Sequence, residues 1–130
     1  MVGGGNIDPW SSEQSTDYDR MIEQFGLTPM NLGSMPNPGM LHRRGIVFAH
    51  RDLDVITESI TKGDPFGVLT GLMPSGRMHL GHSMVIEQVR WFQDQGADVT
   101  VAVADLEALA TRGTPLSKGR ETALREYVLN

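Results

Sequence analysis

The segment Thr70-Gly71-Leu72-Met73-Pro74-Ser75-Gly76-Arg77-Met78-His79-Leu80-Gly81-His82 constrains this chain more than any other. It joins a short, mostly apolar run, Phe66 to Thr70, to a helical pattern that starts near His79. The apolar run has the character of a buried parallel strand. Gly81, Val85, Val89 and Phe92 recur on one face of a helix, and Gly96 follows as its cap. Val99, Val101 and Val103 then form a second buried strand. Strand, loop, helix and strand make one βαβ unit. The expected fold class is therefore α/β, with part of a doubly wound, Rossmann-like parallel sheet.

Such sheets bind ligands at the carboxyl ends of their strands, where this segment lies. Free backbone N–H groups and the helix dipole there favour a phosphate. Gly71 and Gly76 let the backbone come close to a nucleotide. His79 and His82 share the first helical turn and can face one ligand. Their ring N–H groups suit the oxygens of a phosphoryl group in transfer. Gly81, between them, leaves space for a base or ribose, and Arg77 brings a positive charge to the loop. Two histidines near a helix start are commonly just surface residues. Their place between two apolar strands favours the nucleotide. A zinc site would need further ligands, and only His42 and His50 remain in a chain without cysteine, so no protein-bound metal is expected.

Outside this unit the local signals are coarser. Residues Met1 to Tyr18 are mostly loop, and Asp19 to Phe25 form a short helix stopped by Gly26. The Pro- and Gly-rich stretch Thr28 to Met40 is a connector. Arg43 and Arg44, with His42, are expected in a solvated turn, followed by a strand at Ile46 to Phe48. Asp52 caps a helix that ends at Gly63-Asp64-Pro65. A last helix starts near Ser117 and carries Leu124, Tyr127 and Val128. Phe92 is expected in the core, and Trp91 in packing against another subunit or domain. With 11 Lys and Arg against 16 Asp and Glu, the chain has no general attraction for nucleic acid. Lacking cysteine, a membrane-length apolar run and a secretory signal, it fits the cytoplasm.

Pro74-Ser75-Gly76-Arg77-Met78-His79-Leu80-Gly81-His82 resembles the HIGH region of class I aminoacyl-tRNA synthetases, in the form used by the tryptophanyl and tyrosyl enzymes. His42 to Leu53, Asp8-Pro9-Trp10 and Asp17 to Gly26 resemble the amino-terminal part of the archaeal and eukaryotic tryptophanyl enzymes. Ala104-Asp105-Leu106-Glu107-Ala108 resembles the family's next active-site segment. The resemblance implies residues 1–44 as an amino-terminal extension that folds over the ATP site. It implies residues 45–130 as the first half of a class I catalytic domain. It further implies ATP, with its accompanying Mg2+, as a substrate beside tryptophan and the tRNA for tryptophan, and a homodimeric full-length enzyme. His79 and His82 are then catalytic. Gly71, Pro74, Ser75, Gly76, Arg77, His79, Gly81 and His82 hold ATP, and Leu69, Ala102 and Glu107 line the amino acid.

Leu69 stands where these enzymes often carry a tyrosine, and Ala102 where the eukaryotic ones carry a glutamine. Both changes remove hydrogen-bonding capacity near the amino acid and bear on specificity. The family's later lysine- and serine-rich signature loop and its anticodon-binding domain have no counterpart in the chain. Leu116-Ser117-Lys118-Gly119 comes too early for that loop and starts the last helix. The leading expectation is an amino-terminal fragment or truncated form of a tryptophan–tRNA ligase. The alternatives are an inactive nucleotide-binding or interaction module, a tyrosyl-like relative, and a small nucleotidylyltransferase.

Overall fold

The computed structural model describes residues 17–129, which divide into two compact units, one up to Glu58 and one from Ser59 onward.

In the first unit, helix α1 (Tyr18–Phe25) forms where its ends are satisfied locally. Asp17 Oδ1 accepts the Arg20 N–H at 3.1 Å. Gly26 turns into the left-handed region at φ 58°, and the Leu27 N–H reaches back to Ile22 O at 2.9 Å. Two-residue strands β1 (Thr28–Pro29) and β2 (Ala49–His50) pair antiparallel, with Thr28 opposite His50. The short helix α2 (Met40–Arg43) lies between them in sequence. The expected strand at Ile46 to Phe48 begins later, at Ala49, for a visible reason. The N–H groups of Ile46 and Val47 both donate to Leu41 O, at 2.9 and 3.3 Å, closing the end of α2 instead of a ladder. Met35, Leu41 and His42 are buried here. Arg43 and Arg44 are exposed as expected, but His42 is not part of a solvated turn.

Helix α3 (Leu53–Lys62) starts after Asp52, as expected, though Asp52 itself sits at φ 57°. The Leu53 N–H is accepted by His50 Nδ1 at 3.2 Å, so a histidine contributes to this helix start. At its end Gly63 takes φ 72° and the Asp64 N–H bonds Ser59 O at 2.9 Å.

The second unit is built on strands β3 (Gly67–Leu72) and β4 (Asp98–Val103), which pair in parallel from Gly67 opposite Asp98 to Leu72 opposite Val103. Helix α4 (Leu80–Asp94) connects them and packs on both. This is the expected βαβ unit. Gly71 and Leu72, expected in the loop, extend the strand instead. Side chains alternate across a strand, so Leu69, Gly71, Thr100 and Ala102 share one sheet face. That face is open, with Leu69 74% exposed, whereas Val68 and Thr70 are half-buried and Leu72 is buried. Strands buried on both faces are therefore not what the chain forms: Val101 is also exposed. On α4 the roles of the aromatic pair are reversed. Trp91 is buried and Phe92 only half-buried, their rings edge-on at 4.9 Å. Val85, expected on the buried face, is exposed.

Beyond β4, helix α5 (Asp105–Arg112) ends at Gly113, φ 63°. It packs on α6 (Leu116–Thr122), where Arg120 Nε meets Asp105 Oδ2 at 3.0 Å. The last helix then changes winding and continues as a π-helical segment, Ala123–Val128.

Candidate active site

The loop between β3 and α4 places Pro74 in the interior and leaves Ser75, Gly76 and Arg77 exposed. The Ser75 N–H turns back onto Met73 O at 2.8 Å, which tightens the loop before Gly76. Neither Gly71 nor Gly76 has a positive φ, and a Cβ added at either would meet open space. Their sequence role as points of close approach is sterically available but is not demanded by the backbone.

At the helix start the two histidines cap one another's turn. His79 Nδ1 accepts the Gly81 N–H at 3.2 Å. His82 Nδ1 accepts the His79 N–H at 3.2 Å. The His82 and Ser83 N–H groups go to His79 O, at 2.9 and 3.3 Å. The expectation that this helix start offers free backbone N–H groups to a phosphate is thereby corrected, because capping already engages those of His79, Gly81, His82 and Ser83. The capping has a chemical consequence. A ring nitrogen that accepts a hydrogen bond carries no proton, so each neutral imidazole keeps its proton on Nε2. The helix start exchanges backbone donors for two imidazole donors, with ring centroids 4.1 Å apart.

Gly81 is explained by the same contacts. A Cβ there would lie 3.1 Å from His79 Cε1 and 3.2 Å from His79 Nδ1. The space above this glycine is filled by the capping imidazole, where the sequence reading had placed a base or ribose.

Beside the loop lies an open cleft of about 240 Å³ lined by Gly76, Arg77, Glu121, Thr122, Arg125 and Glu126. Arg125 Nη2 pairs with Glu121 Oε1 at 3.2 Å, which leaves Arg77 as the cationic side chain of the loop itself. Leu69 and Ala102 are brought onto one exposed sheet face, with Ala102 opposite Gly71. Glu107 lies on the first turn of α5, exposed. The structure thus groups Gly76, Arg77, His79, Gly81 and His82 at one strand–helix junction, with Leu69 and Ala102 on the adjoining sheet.

One side chain at the junction was expected on the last helix but not at this site. The Tyr127 hydroxyl lies 3.3 Å from His82 Nε2. It is 45 residues away in the chain, and its only sequence signal is that an aromatic residue falls on the last helix.

Residues 61–130 match the family described as tRNA synthetases class I (W and Y). The chain is 45% identical over 126 residues to the tryptophan–tRNA ligase of Methanosarcina acetivorans, covering 95% of this chain and 29% of that protein. It is 44% identical over 124 residues to the enzyme of the same name from Thermoplasma acidophilum, covering 95% and 28%. Among solved structures it superposes on tryptophanyl-tRNA synthetase from Aeropyrum pernix with a TM-score of 0.76 and 40% identity. That match covers 94% of this chain and 35% of the other. The tryptophan-bound synthetase of Encephalitozoon cuniculi gives 0.76 at 28% identity, covering 85% and 33%. The chain thus spans under a third of the length of these two ligases. By its matched residues, its parallel βαβ unit and its histidine-capped helix, the chain belongs to the class I tRNA synthetases of the W and Y group.

Proposed function

We propose that this chain forms the ATP-binding part of a tryptophan–tRNA ligase. The observation that carries the reading is the reciprocal capping of His79 and His82 at the carboxyl end of a parallel strand. It presents two imidazole N–H donors where a class I sheet holds its nucleotide. In the first reaction the tryptophan carboxylate attacks the α-phosphorus of ATP. A P–O bond forms to the carboxylate, the bond to the β-phosphate oxygen breaks, and pyrophosphate leaves. Negative charge builds on the oxygens in transfer, and Nε2–H groups held in advance stabilise it without reorganising. Gly71, Pro74, Ser75 and Gly76 shape the phosphate side of the site, and Arg77 adds a positive charge there. Gly81 serves by letting His79 fold over the helix. Mg2+ enters with the nucleotide as its counter-ion. In the second reaction a tRNA hydroxyl attacks the adenylate carbonyl and AMP leaves.

Leu69, Ala102 and Glu107 are assigned to the amino-acid side. Leu69 and Ala102 offer apolar surface to an indole, and Glu107 offers an acceptor for its N–H or for the ammonium group. Residues 1–44 act as an amino-terminal extension and 45–130 as the first half of the catalytic domain, in a cytoplasmic, homodimeric enzyme.

The test is amino-acid-dependent ATP–pyrophosphate exchange by the full-length ligase that contains this chain. Tryptophan is expected to support exchange and tyrosine not to. His79→Ala and His82→Ala are each expected to slow it by about 10²–10³-fold, the usual effect of removing one such donor. A preference for tyrosine would overturn the substrate, and undiminished exchange with both histidines replaced would overturn their role.

A further inference from the structure

The second histidine of the pair is held at both ring nitrogens. Its Nδ1 accepts the His79 backbone N–H, which leaves Nε2–H as the donor. The Tyr127 hydroxyl lies 3.3 Å from that Nε2, and the two rings meet edge-on, with centroids 5.5 Å apart and planes at 83°. With the proton on Nε2, the imidazole donates and the phenol oxygen accepts, a long 3.3 Å bond that a phosphate oxygen would share once a nucleotide binds. One hydroxyl therefore joins the final helix to the second histidine of the motif.

The route by which Tyr127 arrives there is unusual. It lies in the π-helical segment, where the Leu129 N–H bonds Leu124 O at 3.1 Å, five residues back. Wider winding turns each side chain to a different angle about the axis than an α-helix would, and such segments recur at functional sites. The phenol also stays protonated at neutral pH. Burial raises its pKa above the ordinary 10, the Glu126 carboxylate adds to this, and the Gly76 N–H acts in the opposite sense.

We propose that Tyr127 is a positioning residue of the nucleotide site, fixing the ring angle and Nε2–H tautomer of His82. This rests on the reading of His82 as an ATP contact. It acts through His82 and makes no contact with the reacting atoms. A tyrosine that merely filled space would do so equally well as phenylalanine.

Tyr127→Phe keeps the ring and removes only the hydroxyl. In the chain labelled with 15N-histidine, long-range 1H–15N spectra report the protonation of each imidazole nitrogen. The variant is expected to shift both His82 nitrogens and to weaken ATP binding about 3- to 10-fold, the size of one net hydrogen bond. Leu124→Ala, at a 57% exposed position of the same segment, is expected to change neither. His82 resonances unmoved by Tyr127→Phe would overturn the assignment. So would Leu124→Ala reproducing the effect, since it would then belong to helix stability. Failure of the unsubstituted chain to bind ATP would instead overturn the nucleotide reading, whatever the His82 resonances do.

Discussion

His42 shows how far one side chain can depart from its sequence surroundings. It stands before two exposed arginines, yet it is 2% exposed, with Nδ1 accepting the Gly39 N–H at 3.0 Å. Burial lowers its pKa below the ordinary 6.5, and the charge of Arg43 lowers it further. The unfolded chain takes up this proton near 6.5, whereas the folded chain resists it. The stability gained from keeping the ring neutral is present above that value. It is lost as pH falls from 6.5 through the lowered folded value. We expect the unfolding midpoint of the amino-terminal unit to drop between about pH 7 and pH 5. His42→Asn, which has no titrating ring, should flatten that slope, and an identical slope in the variant would contradict the account. None of this was legible in the sequence, because burial of a polar ring is set by tertiary packing that neighbouring residue types do not reveal. Tyr127 was illegible for a related reason. Its partner is far away in the chain, and π-winding breaks the periodicity by which a helical residue is placed.

Elements with local signals were legible. Gly26, Gly63 and Gly113 end helices through positive φ, and Gly96, at φ 98°, sits beyond α4 as the sequence suggested. The βαβ unit followed from apolar runs set apart by a loop and a helical repeat. The two-residue strands were not legible, because Ile46 and Val47 look like a strand but spend their N–H groups on Leu41. At the start of α4 the sequence could not show that backbone N–H groups are engaged, since mutual histidine capping is a matter of side-chain geometry. Gly81→Ala tests that geometry. Alanine in a helix interior is favoured over glycine by about 0.5–1 kcal/mol. Here its Cβ would press on the His79 ring, and losing that cap costs about 0.5–2 kcal/mol. His79 is exposed and can swing away. We expect the unfolding free energy to change by no more than about 1 kcal/mol, while ATP binding weakens because His79 no longer holds its ring in place. Unaltered ATP affinity, measured by calorimetry, would show that the His79 cap does not shape the site.

For the whole molecule, the sheet explains why the candidate amino-acid side chains are so accessible. Leu69 is 74% exposed, and it shares its open face with Ala102 and Thr100. The sequence led to the expectation of strands covered on both faces, because an apolar run cannot reveal which face finds a partner. The ATP side differs. Its loop, its capped helix and the segment carrying Tyr127 all lie in the unit from Ser59 onward, so the residues proposed to contact the nucleotide belong to that one unit. The net charge of −5 does not argue against the proposed phosphate contact, because Arg77 would act locally and the two imidazoles are held by capping. The junction of β3 and α4 is the proposed nucleotide site. The most direct measurement is an amide NMR titration of this chain with ATP. The account predicts that shifts concentrate in Gly71 to His82 and at Tyr127, and that His79→Ala diminishes them. Shifts confined to other residues, or none at millimolar ATP, would contradict it.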